Sequence, residues 1–153
     1  MKSKAVVFFI LTFFPQAIIP ATLLAADGNI KWHAYKEGMS QGKNKQKKVF
    51  LHFWAKWCPS CKKMEKETFK DASVIAYLNK NFISIRVDTD RERALSSEYG
   101  IRGVPDNWFI SEDGETISNL PGYIPVKLFL PLLKYIRTNS YKKMNFSKFM
   151  KEN

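Results

Sequence analysis

The chain has 153 residues, 45% hydrophobic and 25% charged, which suits one domain with its own core and is too short for two. Only two cysteines are present, so a disulfide-stapled scaffold is excluded and packing must hold the fold together. The net charge of +11 is spread along the chain without a nucleic-acid-binding motif, so we expect a solvated basic surface and no nucleic-acid partner.

The first 26 residues have the pattern of a secretory signal peptide. Lys2 and Lys4 make a basic start, residues 5–14 are apolar apart from one threonine, and small residues end the segment at Ala26. We therefore predict a signal peptide at 1–26 and a periplasmic or otherwise exported protein. An uncleaved membrane anchor is the alternative, since the segment after Lys4 carries no charge and is just long enough to span a bilayer.

Strands and helices alternate along the remaining chain. Residues 49–55 are nearly all apolar, as in a central strand that is covered on both faces. The order of elements predicts an α/β fold with a mixed central sheet flanked by helices. Strands are predicted at 49–55, 82–88, 107–110 and 115–118, and helices at 59–69, 71–80, 91–99 and 125–136, with a further short helix near 35–41.

The predicted domain covers residues 27–137, and a lysine-rich tail follows at 138–153. Aromatic residues interleaved with the lysines are typical of a basic segment that binds to a membrane surface. The terminal position favours a frayed extension instead. We therefore expect membrane contact only through an uncleaved N-terminus or this tail.

The two cysteines form a Cys-x-x-Cys motif at Cys58 and Cys61, between a predicted strand and a predicted helix. Two thiols at this spacing cycle between dithiol and disulfide by thiolate attack on a partner's disulfide. One alternative is a structural disulfide in a redox-inert binding domain. Another is half a metal site completed by His33 or His52, for which a single cysteine pair is weak support. We therefore predict neither a metal nor a cofactor.

The stretch from Phe53 to Lys62 resembles the active site of the thioredoxin superfamily, and Val104-Pro105 lies where that superfamily has its cis-proline loop. The resemblance covers about residues 30–137 and extends to exported domains such as the C-terminal periplasmic domain of the membrane disulfide reductase of the Dsb system. It implies a thioredoxin-like fold and an exported thiol–disulfide oxidoreductase that leans to reduction, with net oxidation as the alternative. It also implies protein disulfide or dithiol substrates and an upstream redox donor as partners.

Within this resemblance, three residues receive catalytic roles. Cys58 is predicted to be the accessible nucleophile, since free N–H groups at a helix N-terminus stabilise a thiolate, and Cys61 is the resolving thiol. Glu65 lies four residues after Cys61 on the same helical face, and the resembling reductase domain has an acid at this spacing. Glu65 is therefore predicted to be the base for Cys61, with a surface glutamate as the alternative.

His52 lies six residues before Cys58, at the position where thioredoxins usually carry a buried acid. It is a candidate proton relay for the cysteine pair, although a core histidine with satisfied hydrogen bonds is the favoured interpretation.

The residues expected to bind partners are Trp57, Val104 and Pro105. Trp57 is predicted to shield the disulfide and contact partners, with plain packing as the alternative. A cis Pro105 would place the Val104 backbone beside the sulfurs, ready to pair with an extended partner segment. Asp106 follows where the family typically has threonine, and its charge would disfavour a thiolate if it lay close.

Overall fold

The computed structural model describes residues 28–152, so the predicted signal peptide at 1–26 lies outside the described residues. The strands are β1 (Trp32–His33), β2 (Val49–Trp54), β3 (Ile83–Asp88), β4 (Asp106–Ile110) and β5 (Thr116–Pro121). The helices are α1 (Tyr35–Asn44), α2 (Pro59–Glu67), α3 (Ala72–Asn81), α4 (Arg93–Glu98), α5 (Val126–Arg137) and α6 (Phe146–Glu152), with a 3₁₀ turn at Ser140–Lys142.

The five strands form one mixed sheet in the order β1-β3-β2-β4-β5. β1, β3 and β2 are parallel, while β4 runs antiparallel to both β2 and β5. This architecture confirms the predicted α/β fold with a mixed central sheet flanked by helices. β1 was not expected, because two residues are too few to form a recognisable pattern.

Strand β2 lies at the centre of the sheet and separates two apolar layers. Phe50 joins a core with Met64 of α2 and apolar residues of α3 and α5. Leu51 and Phe53 point to the other face, where partly buried residues of α1 and α4 cover them. The nearly unbroken apolar sequence of β2 follows from this two-sided burial, since successive strand residues face opposite sides.

The C-terminal segment differs from the expected frayed extension. Residues 146–152 form α6, and Phe149 is buried in the core beside Tyr135 of α5, with ring centroids 5.3 Å apart. Phe146 approaches the same tyrosine at 5.4 Å. The frayed extension is therefore wrong for this segment, because its aromatic residues provide enough apolar surface to hold a short helix on α5.

Among the helices of residues 28–152, none combines the length and the apolar character needed to cross a membrane.

Candidate active site

The two cysteines form a disulfide at the N-terminus of α2. The chain leaves β2 and turns through Ala55, whose carbonyl accepts a hydrogen bond from the Cys58 N–H at 3.2 Å. Cys58 is the N-cap, and its Sγ accepts a hydrogen bond from the Cys61 N–H at 3.0 Å. Pro59 occupies the first helical turn, where its missing N–H costs nothing. The helix therefore directs an otherwise unpaired N–H group at the sulfur of Cys58.

Both cysteines are 2% exposed, which differs from the expected accessible sulfur at Cys58. The loop before β4 covers the disulfide, since Val104 packs against it and the Val104 carbonyl oxygen lies 3.3 Å from the Cys58 Sγ. A partner sulfur therefore reaches Cys58 only after a local movement of this cover.

The peptide bond between Val104 and Pro105 is cis, as the resemblance implies. Trp57, directly before Cys58, is 65% exposed, and its Nε1 donates a hydrogen bond to Asp90 Oδ1 at 3.3 Å. Trp57 and Val104 line a groove of ≈ 380 Å³ together with Arg102. The high exposure of Trp57 argues against plain packing and leaves its ring available to a partner.

His52 is buried in β2 and hydrogen-bonded to Asn107 of β4, with 2.9 Å between Nδ1 and Oδ1. The Asn107 amide donates to the carbonyls of Leu120 and Gly122 at 3.0 Å each, so its Oδ1 accepts and the His52 Nδ1 carries the hydrogen. Burial lowers the pKa of His52 to about 3, and the hydrogen bond that His52 donates to Asn107 acts in the opposite direction. A histidine that stays neutral at physiological pH fits the core interpretation better than the proton relay.

Glu65 neither points into the core nor extends freely into solvent. Its Oε2 forms an ion pair of 2.9 Å with Nη1 of Arg86, and its side chain is 37% exposed. The Arg86 guanidinium stacks over the Trp54 ring at 3.9 Å from the centroid. Glu65 and Cys61 line the same groove, so the carboxylate lies on the Cys61 side of the disulfide.

The sequence reasoning missed Arg86 and gave Asn107 no role. Arg86 lies in the middle of β3 and is partly exposed, whereas its neighbours in the strand are buried. It comes close to the site because it pairs with His52 in the sheet and contacts Trp54, and neither relation can be inferred from the sequence. Burial lowers the pKa of Arg86, while the carboxylates of Glu65 and Asp88 raise it.

Asp106, directly after the cis-proline, is also buried. Burial raises the pKa of its carboxyl group, and the neighbouring polar groups of Trp108 and Asn119 act in the opposite direction.

Neither histidine joins the cysteines. His33 lies 3.2 Å from Glu37 in α1, and the His52 Nδ1 is paired with Asn107. Within the described part of the chain, no three His, Cys, Asp or Glu side chains are grouped so that they could hold a metal ion.

The fold and the disulfide together define a thioredoxin-like protein with the redox site of a thiol–disulfide oxidoreductase. Residues 35–137 match the family described as thioredoxin-like domain, and the chain belongs to this family. A thioredoxin of Mycoplasmoides gallisepticum is 33% identical over 99 residues, which cover 65% of this chain and 94% of that protein.

Two further similarities involve proteins named DsbD. The thiol:disulfide interchange protein DsbD of Vibrio vulnificus is 33% identical over 107 residues, which cover 66% of this chain and 18% of that protein. The oxidised C-terminal domain of Neisseria meningitidis DsbD superposes with a TM-score of 0.57 at 29% identity, covering 67% of this chain and 92% of that domain. The chain therefore spans about a fifth of the DsbD proteins that it matches.

Proposed function

We propose that this chain is an exported thiol–disulfide oxidoreductase that exchanges disulfides with partner proteins and works mainly as a reductase. The observation that carries the proposal is the Cys58–Cys61 disulfide at the N-terminus of α2, with the Val104 carbonyl beside its first sulfur.

In the reducing direction, the chain starts as a dithiol. The Cys58 thiolate attacks one sulfur of the partner disulfide, and the other partner sulfur leaves as a thiolate that takes up a proton. The Cys61 thiolate then attacks the Cys58 sulfur, and the second partner sulfur leaves in the same way. The partner gains two electrons and two protons, and Cys58 and Cys61 end as a disulfide.

The first step uses the end of α2. The Cys61 N–H at 3.0 Å and the partial positive charge at the helix N-terminus stabilise a thiolate on Cys58. Lys56 and Lys62 flank the motif and add positive potential. The partner's backbone would pair with Val104 once the cover over Cys58 moves.

The second step needs a base, because Cys61 is 2% exposed and a buried thiol stays protonated. We assign this role to Glu65, which lines the groove that reaches Cys61. The ion pair with Arg86 holds the carboxylate at this groove, and its partial exposure lets the proton pass on to solvent.

Two contacts of the Cys58 sulfur bear on the direction of the reaction. The N–H of Cys61 favours a thiolate, whereas the Val104 carbonyl oxygen at 3.3 Å favours a protonated thiol that donates to it. Because the two contacts act in opposite directions, the Cys58 thiolate is not exceptionally stable. A strong oxidant of this kind has a very stable reduced thiolate form. We therefore expect a reduction potential closer to about −270 mV, as in thioredoxin, than to about −120 mV, the value of a strong periplasmic oxidant. A potential near the second value would refute the reductase assignment.

Export rests on the signal pattern at residues 1–26 and is proposed on that basis. The partners we propose are protein disulfides as substrates and an upstream redox donor. N-terminal sequencing of the secreted protein should begin near Asp27. An intact Met1 in the mature protein would contradict cleavage.

The deciding experiment is covalent trapping in cells. The Cys61→Ser variant should accumulate mixed disulfides through Cys58, which mass spectrometry would identify, because the resolving thiol is gone. The Cys58→Ser variant is the matched control and should trap few partners and lose insulin reduction. Equal insulin reduction by this variant and the wild type would favour a redox-inert binding domain instead.

A further inference from the structure

A second groove lies on the Cys61 side of the disulfide, away from the groove that Trp57 and Val104 line. It has a volume of ≈ 400 Å³, with Trp54 and Cys61 among its lining residues. Four lysines border it, namely Lys56, Lys62, Lys66 and Lys70. Long lysine side chains cover apolar surface with their methylene stems and keep their charges in water. The groove is therefore apolar inside and cationic along its border.

The positive charge of this border is largely uncompensated. Glu65 is the one carboxylate in the lining, and it is already paired with Arg86. Within residues 28–152, no carboxylate lies within ion-pair distance of Lys56, Lys62 or Lys66. Lys70 donates a hydrogen bond to the neutral side chain of Asn29 at 2.8 Å. Four exposed lysine ammonium groups thus surround one concave apolar surface next to a reactive sulfur.

We propose that this groove binds an acidic segment of the protein whose disulfide is exchanged, with an apolar side chain in the groove beside Trp54 and carboxylates on the surrounding lysines. The inference rests on the proposed function, because a segment held here lies beside the disulfide. Charge complementarity of this kind speeds encounter and selects partners. A peptide segment fits a concave groove of this size, whereas a flat anionic membrane would touch only the lysine tips.

The test uses three cysteine peptides that differ only in flanking glutamate, glutamine or lysine residues, each activated as a 2-pyridyl disulfide. The reduced full chain converts each into a peptide thiol and 2-thiopyridone while Cys58 and Cys61 become a disulfide, and absorbance follows the rate. At low salt we expect the acidic peptide to react about tenfold faster than the neutral one, and 0.5 M salt should remove most of this preference.

The variants localise the preference. Lys66→Gln/Lys70→Gln should lower the ratio of acidic to neutral rates to about threefold or less, since both charges are lost from the border. The ratio is taken within each variant, so any change in thiol reactivity cancels. The matched control is Lys36→Gln/Lys43→Gln, which removes two exposed lysines of α1 on the opposite face of the sheet and should keep the wild-type ratio.

Several outcomes would overturn the proposal. Equal rates for the acidic and neutral peptides would show that the groove does not select peptides by charge. An equal drop in the rate ratio of the α1 control variant would show the same. Phosphatidylglycerol vesicles provide the remaining comparison. If Lys66→Gln/Lys70→Gln weakens vesicle binding and leaves the ratio of acidic to neutral peptide rates unchanged, the lysines bind a lipid surface and not an acidic peptide. No reaction with any of the peptides would instead refute the proposed function itself. Should the double variant fail to fold, the single variants Lys66→Gln and Lys70→Gln are measured in the same way, and an unchanged ratio in both would contradict the proposal.

Discussion

Lowering the pH from 7.5 to 5 should destabilise this protein through a single buried side chain. His52 is fully buried in β2 and stays neutral in the folded chain, because burial lowers its pKa to about 3. In the unfolded chain, the same imidazole returns to its ordinary pKa of about 6.5. Between these two values the unfolded chain binds a proton that the folded chain does not, so stability falls as the pH falls.

The magnitude follows from the two pKa values. A pH of 5 lies about 1.5 units below the pKa of the histidine in the unfolded chain, and each such unit stabilises the unfolded chain by about 1.4 kcal/mol. The same pH is still well above the His52 pKa of about 3 in the folded chain, so the folded chain binds no proton at this residue and is not stabilised. The expected loss from this residue is therefore about 2 kcal/mol, a large fraction of the 5–15 kcal/mol (roughly) that stabilises a typical domain.

Urea unfolding at a series of pH values between 7.5 and 5 measures this loss. His52→Gln keeps a hydrogen-bond donor for Asn107 and removes the titration, so its stability should fall by about 2 kcal/mol less than that of the wild type over this range. His33→Gln removes the other histidine, which is only partly buried, and serves as the control. Parallel pH profiles for the wild type and His52→Gln would show that His52 is not held neutral by the core.

Three further predictions concern the base, the packing and the buried acid. Glu65→Gln should slow resolution of the mixed disulfide about 100-fold and flatten its pH dependence, as stopped-flow kinetics would show; unchanged kinetics would exclude the base role. Gly38→Ala should lower the free energy of unfolding in urea by about 1–3 kcal/mol, because the added Cβ would overlap Ile85 Cγ1 and lie 2.6 Å from Cδ1. Gly28→Ala is the control and should cost little, since a Cβ at Gly28 would meet open space. Asp106→Asn should raise stability at pH 7, since burial raises the pKa of this carboxyl group and its charge is then unfavourable in the folded chain; the gain should shrink as the pH falls through that raised pKa, and a loss at pH 7 would contradict this.

Much of the site could be predicted from the sequence, because its parts are local. The Cys-x-x-Cys motif between an apolar strand and a helix places Cys58 at the N-cap of α2, where the structure has it. Val104-Pro105 was expected to be the cis-proline loop, and the structure has a cis bond there with the Val104 carbonyl near the sulfur. The order of helices and strands was also readable, since apolar periodicity is set within each element.

The contacts that tune the site were decided by the tertiary structure. His52 and Asn107 are 55 residues apart and meet only because β2 and β4 pair in one register. Arg86 reaches Glu65 because α2 lies over the sheet at β3.

The sequence by itself determined the chemistry of the thiol pair, the class of fold and the local elements, because hydrophobic periodicity and helix-end preferences act between neighbouring residues. Only the tertiary structure decided that the disulfide is covered, that the histidine is neutral and that the C-terminal aromatic residues hold a helix on α5. Burial is the physical reason, since the exposure of a sulfur, the charge of an imidazole and the docking of a short helix all depend on what distant segments place around them.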